Sequence, residues 1–386
     1  MTDRIENIKL HKHILICGDN INSLNIARSL GEKGITPVVV MQQEDKSRLL
    51  ASSRYINEII YAQDFNDALS ILLSYANVEY PPFVYITDDN HLQVLDAHFG
   101  QLKEKFYLFN AAEEGRLSYY LDKEKQCELA KEVGLHVPGY EEVERGELPK
   151  SLTYPVITKT SNSYSAGWKR DVTICYSADE LKEAYKSMIS ERLLLQEYIE
   201  KTGEYSMQGI SLNGGDEVYM PFERMYLRFS KTSFGGYMYY QPFKNEDLQH
   251  KVQAMLKKIR FSGCFEIEFL VDKDNQLHFL EINLRFSASN YGVNNGGVNL
   301  PYLWATSVLL GKIDTSDFAL KRERYYVMNE MVDISYASET GWLKWLRQLL
   351  SADGYYLFNR KDLKPFFHFW IGYKMKRMFK KILKRR

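Results

Sequence analysis

Cysteine is scarce in this sequence. The 386 residues hold four, Cys17, Cys127, Cys175 and Cys264, with no CxxC spacing between any two. That excludes a zinc ribbon and a disulfide framework, and it fits a reducing compartment, so a cytoplasmic location is expected. Long hydrophobic runs are missing as well. The opening stretch MTDRIENIKLHKHILICG mixes acids with bases, and no later window approaches the ~18 uncharged apolar residues of a membrane span. Neither export nor membrane crossing is expected. No GxSxG or HExxH occurs, which leaves hydrolase readings unsupported, and the turn GDNINS after the first apolar run lacks the G-x-G-x-x-G that brings backbone close to a pyrophosphate. His11 and His13 form H-K-H without a third His or a Cys nearby, so they are read as polar residues flanking a strand and not as metal ligands.

What is present is the make-up of a globular protein, 45% hydrophobic and 26% charged, long enough for at least two packed units at ~100–200 residues each. The formal net charge is zero, but the total is a cancellation. Residues 360–386 carry eleven Lys/Arg and one acid, a net of +10, and the remaining 39 bases and 49 acids give −10.

From 13 to 111 short apolar runs alternate with amphipathic stretches. HILIC, TPVVVM and FVYIT read as strands, with INSLNIARSLGEKG and DFNDALSILLSYA as the helices, the second capped by Asp64. This alternation predicts a parallel α/β sheet. The stretch 122–138, DKEKQCELAKEVGLHVP, predicts a helix from Asp122 to Gly134, followed by the strand YPVITK; Ser177 to Glu180 form a capping box that starts another helix. After Leu193 strand signals dominate, with one helical insert near 246–260, so a mostly antiparallel sheet is expected.

The chemistry concentrates in GCFEIEFLVDKDNQLHFLEINLRFSASNYGVNNGGVNLP (263–301). Alternation places Glu266 and Glu268 on one face of the first strand and Glu281, Asn283 and Arg285 on one face of the second, and VDKDNQ can turn the two into a hairpin. Carboxylates and an amide beside a guanidinium suit a Mg²⁺ ion that is also held by phosphate oxygens, with the Arg stabilising a transferred phosphoryl group.

On these residues the sequence resembles the ATP-grasp superfamily, whose nucleotide site ends in a hairpin matched here by Gly263, Glu268, Phe269, Glu281, Ile282, Asn283 and Arg285; Leu284 stands where proline is common. Asp122, Lys123 and GLHVP resemble the start of the family's small subdomain, and Lys159 its second nucleotide lysine. Gln196, Glu197, Tyr198 and Ile199 resemble the linker that clasps adenine, and Glu204 the ribose-binding acid. The resemblance covers about 10–315. It implies ATP and Mg²⁺ or Mn²⁺ as cofactors, with Glu268, Glu281 and Asn283 as metal ligands, Lys123 and Lys159 on the phosphates, and Arg285 with Lys159 catalytic. It implies an N-terminal α/β domain at 1–115, a small subdomain at 116–200 and a large one at 201–315; beyond its reach, 316–386 is read as a C-terminal extension.

The activity so implied is that of a carboxylate–amine ligase, in which ATP activates the acid as an acyl phosphate that an amine then attacks. Arg224, Arg228 and Lys231 are candidates to receive a substrate carboxylate. A weaker similarity of FVYITDDNHLQVLDAHFGQLKEKF to amino-acid ligases related to D-aspartate ligase implies an amino-acid substrate, with cell-envelope or surface-glycan precursors as one setting. The loop 160–174, TSNSYSAGWKRDVTI, is poorer in glycine than the family's phosphate flap, which keeps a nucleotide-binding regulator or scaffold without turnover as the alternative. In 366–386, FFHFWIGYKMKRMFKKILKRR, apolar residues at 367, 371, 375, 378 and 382 form one helical stripe beside eight Lys/Arg, predicting a basic amphipathic helix for an anionic membrane surface. No nucleic-acid partner is expected, given the acidic body.

Overall fold

The computed structural model describes residues 7–42, 49–161, 170–232 and 235–374. Strands β1 (His13–Cys17), β2 (Val38–Gln42), β3 (Glu58–Ala62) and β4 (Phe83–Ile86) form a parallel sheet in the order β3-β2-β1-β4. β1 and β4 are apolar and fully buried because helices cover both faces of the sheet centre. Helix α1 (Ile21–Gly31) crosses from β1 to β2, its N-terminus closed by the Asn20 side chain, which accepts the Ser23 N–H. Helix α2 (Phe65–Leu73) is capped by Asp64, and α3 (Asp89–Asp96) starts directly beyond β4 with Asp88 as its cap. The chain leaves β1 toward β2 and returns to its other side at β4, so the carboxyl ends of β1 and β4 flank a switch point, where open α/β sheets bind ligands. His13 lies inside this core: Nδ1 meets the Tyr85 hydroxyl at 2.8 Å, Nε2 meets Ile8 O at 3.0 Å, and burial lowers the imidazole to about 4. His11 is also buried, so the pair packs the sheet instead of flanking it as polar residues.

Helix α4 (Lys123–Glu132) opens on Asp122, whose carboxylate accepts two backbone N–H groups, and gives way to Gly134 at φ +80°. An antiparallel sheet follows in the order β5-β8-β6-β7, from β5 (Tyr140–Glu144), β6 (Val156–Thr160), β7 (Ile174–Cys175) and β8 (Arg192–Glu197). With α5 (Ala178–Tyr185) it has its own small core around Val156, Leu181, Leu193 and Leu195. The glycine-poor stretch 162–169 lies outside the described residues.

The third sheet has seven strands, ordered β13-β12-β9-β10-β11-β14-β15. Its members are β9 (Gly203–Leu212), β10 (Glu217–Tyr226), β11 (Tyr237–Pro242), β12 (Gly263–Val271), β13 (Leu277–Asn283), β14 (Tyr325–Met328) and β15 (Gly354–Tyr355). All pairings are antiparallel except β14 with β15. Helix α6 (Glu246–Ile259) precedes β12, and α7 (Leu300–Leu310) inserts Trp304 among Phe83, Tyr85 and Phe109, so one apolar core runs from the first sheet into the third. The segment after 315 adds two strands to this sheet, β14 and β15, with helix α8 (Trp342–Ser351) between them. It also returns to α1, where Arg28, fully buried, pairs with Asp362 at 2.9 Å. The chain continues as a helical turn, Lys364–Phe367, and a π-wound segment, His368–Lys374, whose Phe366, Phe369 and Trp370 pack on the core. The remainder of the expected basic helix, 375–386, lies outside the described residues.

Candidate active site

A cavity of about 830 Å³ opens where the three sheets meet. Its floor is the β12–β13 hairpin, and the register fixes its chemistry: Glu268 stands opposite Glu281, Glu266 opposite Asn283, and the apolar pair Ile267 and Ile282 turns to the core. The register slips between Glu268 and Phe269, leaving Leu280 as an extra residue, so Leu270 and Leu280 both reach the cavity and give it an apolar patch. The turn is held by Asp272, which accepts the N–H groups of Asp274 and Gln276 at 2.9 Å.

Two lysines stand over the hairpin. Lys123 is brought there because α4 packs on β13: the Gln126 amide donates to Ile282 O (3.0 Å) and accepts the Ile282 N–H (3.0 Å). Lys123 Nζ lies 3.7 Å from Glu281. Lys159, at the end of β6, donates to Gln196 Oε1 at 2.6 Å. Burial and the neighbouring Lys123 lower Lys159 to about 8. Gln196, Glu197, Tyr198 and Ile199 form the adjoining wall. The N–H groups of Glu197 and Tyr198 are already given to Gly139 O (2.7 Å) and Pro155 O (3.1 Å). Glu204 pairs with Lys201 at the same wall.

The carboxylates differ in electrostatics. Burial and the charges of Glu266 and Glu281 push Glu268 well above the usual carboxylate range. Burial also pushes Glu266 up, but the Arg224 guanidinium and the hydroxyls of Ser289 and Ser287 outweigh it and hold Glu266 below that range. Arg224 lies 2.9 Å from Glu266, with its guanidinium 4.4 Å from the Tyr226 ring centre. Glu268 therefore faces the cavity short of compensating positive charge. Among the described residues no three His, Cys, Asp or Glu side chains converge as a ready cation site. Two carboxylates and the Asn283 amide are the partial set expected of Mg²⁺ that takes its other ligands from phosphates, so the residues fit that ion.

Arg285 follows β13 and reaches across to the first sheet, where Nε meets Asp89 at 2.7 Å; Nη2 donates to Asn283 at 2.9 Å. The first sheet also contributes Asn22, Thr87 and Asp88. Asn22 Nδ2 donates to Thr87 O and Phe286 O, and its buried Oδ1 has no partner, nor has Nε of Arg224. Asp88 meets His91 Nδ1 at 2.7 Å; burial pushes the Asp88 carboxyl up, but the His91 contacts outweigh this and leave it low. Lys231 stands at the cavity wall, exposed, 3.4 Å from the Tyr176 hydroxyl.

Of the sequence-derived candidates, Arg228 alone is not brought to this cavity. All three guanidinium nitrogens donate away from the cavity, to Asp333, Gln348 and Thr340, with 9% of the side chain exposed. Sequence reasoning missed Lys201, the Arg224–Glu266 pair, the first-sheet residues Asn22, Asp88 and Asp89, and Tyr356 of the C-terminal segment, which also lines the cavity. Only Lys201 had a local signal, its place three residues before Glu204.

No protein-family model matches this chain. It is 25% identical over 219 residues to a carbamoyl-phosphate synthase of Methanobrevibacter smithii, covering 53% of this chain and 56% of that protein. It is 24% identical over 317 residues to a biotin carboxylase of a Nostoc species, covering 72% and 66%. The chain thus spans about half to two thirds of these relatives' lengths. Among solved structures, an L-amino acid ligase from Bacillus licheniformis matches with TM-score 0.62 and 16% identity over 82% of this chain and 79% of the other. An N5-carboxyaminoimidazole synthetase from Staphylococcus aureus complexed with ADP matches with TM-score 0.65 and 18% identity over 85% and 86%. The chain has the ATP-grasp fold, as its hairpin and lysine motifs led one to expect.

Proposed function

We propose that this protein is an ATP-dependent, ADP-forming ligase that joins a carboxylate to an amine. One observation carries the reading: Glu268 and Glu281 stand opposite each other across β12 and β13, with Lys123 3.7 Å from Glu281 and Lys159 on the same cavity. A site with two half-buried acids beside two lysines is balanced for a polyphosphate with its metal.

Lys123 and Lys159 neutralise the phosphates of ATP as point charges. Glu268, Glu281 and Asn283 would hold Mg²⁺ or Mn²⁺, which when bound offsets charge on the β- and γ-phosphates. A substrate carboxylate oxygen attacks the γ-phosphorus and ADP leaves, giving an acyl phosphate. The amine then attacks the carbonyl carbon, loses a proton, and expels phosphate. Arg285, oriented by Asp89, offsets charge on the transferred group. The acid is an amino acid in this reading: Lys231 and Arg224, whose buried Nε has no partner, suit its carboxylate, and Asp88 suits an ammonium group. Precursors of the cell envelope or of a surface glycan are the setting we favour, and a cytoplasmic protein working at the inner membrane face fits it.

Phosphate release from ATP across a panel of amino acids and acceptor amines tests the proposal, with hydroxylamine to trap the acyl phosphate as a hydroxamate. Release stimulated by one acid, with hydroxamate formed from it, is the expected result. ATP binding without stimulated release for any pair would favour a nucleotide-binding scaffold.

A further inference from the structure

Helix α8 (Trp342–Ser351), sequence WLKWLRQLLS, buries one side only. Trp345 is 5% exposed and donates its indole N–H to Asp333 at 2.8 Å; Leu349 packs beside it. At ~100° per residue, Trp342, Leu346, Leu350 and Leu343 fall within one arc of about 100° adjoining that buried side. These four are 60%, 47%, 75% and 86% exposed, a contiguous apolar stripe turned to solvent. Lys344 and Arg347 occupy the next arc, also exposed, and the helix contains no acid. Around its axis the helix therefore reads core, exposed apolar, basic.

We infer that this stripe seats α8 in the surface of an anionic bilayer, parallel to the membrane plane. Charge complementarity selects the partner. From 342 to 374 there are six Lys/Arg and two acids; Asp362 is buried on Arg28 and Asp353 is engaged by Arg322, so neither acid offsets the stripe. The chain then runs on for twelve residues that carry seven more Lys/Arg and no acid. Such a surface attracts anionic headgroups, while Trp and Leu beside it enter the headgroup–acyl boundary. A second copy of the chain is disfavoured, because pairing two α8 helices would bring like charges together around the stripe.

A second apolar surface is linked to the same element. Tyr355 donates its hydroxyl to Leu349 O at 2.6 Å and its ring meets Phe358 at 5.6 Å between centres; Phe358 in turn meets Phe366 at 5.5 Å. This aromatic series connects α8 to the terminal helical segment, where Phe367 and Ile371 are 51% and 59% exposed. α8 thus anchors as a rigid part of the fold, ahead of the basic chain end.

The test uses the full-length chain with vesicles of phosphatidylcholine containing one third phosphatidylglycerol, and with pure phosphatidylcholine. Wild type should cosediment with the anionic vesicles, and Leu343→Asn/Leu350→Asn should lower the partition coefficient about tenfold or more. Brominated lipid should quench Trp emission, and Trp342→Phe should remove most of that quenching. Both changes are at exposed positions, so thermal midpoint and phosphate release should stay at wild-type values, which keeps this outcome separate from the ligase reading. Absence of wild-type binding to anionic vesicles, or unchanged partitioning of the double variant, would overturn the inference. So would a wild-type dimer in sedimentation that the double variant splits, since the stripe would then be a protein interface.

Discussion

Arg285 and Asp89 are 196 positions apart in sequence and 2.7 Å apart in space, and this buried pair ties the end of the β12–β13 hairpin to the first turn of α3. It joins the two halves of the cavity and fixes the guanidinium that faces it.

Replacing Asp89 with Asn should leave the Arg285 charge buried without its partner and lower stability by roughly 3–5 kcal/mol. Arg285→Ala removes the cation instead, so ATP should still bind while phosphate release falls about 100-fold or more, as expected for a group acting on developing charge. Thermal denaturation and single-turnover phosphate release separate the two effects.

Glu268 carries a carboxyl raised by burial and by Glu266 and Glu281. Its folded form holds a proton that the unfolded form has lost above pH ~4.3, so without nucleotide the stability that this group contributes is full below that pH and falls as pH rises. Glu268→Gln should flatten that fall and stabilise the nucleotide-free protein at pH 8 while abolishing phosphate release. Denaturation midpoints between pH 4 and pH 8, with and without Mg·ADP, are the measurement; Mg·ADP should remove the same slope from wild type.

Lys159 gives the opposite pH pattern. Its ammonium is lowered to about 8, against ~10.4 in an unfolded chain. Between these values the unfolded chain holds more protons, so folding stability rises with pH. ATP affinity should fall over the same range as the phosphate-facing charge is lost. Lys159→Met should remove both trends and weaken ATP binding at pH 7, as read by titration calorimetry.

Arg228 serves the fold. Arg228→Ala leaves Asp333 buried without its guanidinium, so a loss of about 3–5 kcal/mol is expected. The KM for the acid should be unchanged. The same substitution at Arg224, which faces the cavity, should raise that KM; comparing the two variants distinguishes the roles.

Much of this was legible where a signal was local. The caps Asp64, Asp122 and Ser177 function as their positions suggested, each accepting a backbone N–H from the first helical turn. Alternation along FEIEFL and HFLEIN placed the acidic face correctly, because a hairpin with one buried face has little freedom of register. What was not legible depends on distance along the chain. β3 was missed because it is an edge strand, mostly unburied, with no clear apolar face. Nothing within Asp88, Asp89 or Asn22 indicates that residue 285 will arrive beside them. Arg224 and Arg228 sit four apart in one basic stretch, yet the first pairs with Glu266 over the cavity and the second with Asp333 away from it. Composition cannot separate them, since only the sheet order decides which partner each meets.

The Arg28–Asp362 pair has a consequence for how the molecule is made. Asp362 receives Arg28, the Ser53 hydroxyl and the Arg54 N–H, while Arg28 also donates to the carbonyls of Tyr356 and Asp362. Synthesis delivers residue 28 to solvent long before residue 362, and domains ordinarily fold as they emerge. Here the N-terminal unit cannot satisfy its fully buried Arg28 until residue 362 has been made. Completion of that unit is therefore a late event in biogenesis, and a chain truncated before 362 presents an unfinished N-terminal surface to chaperones and proteases.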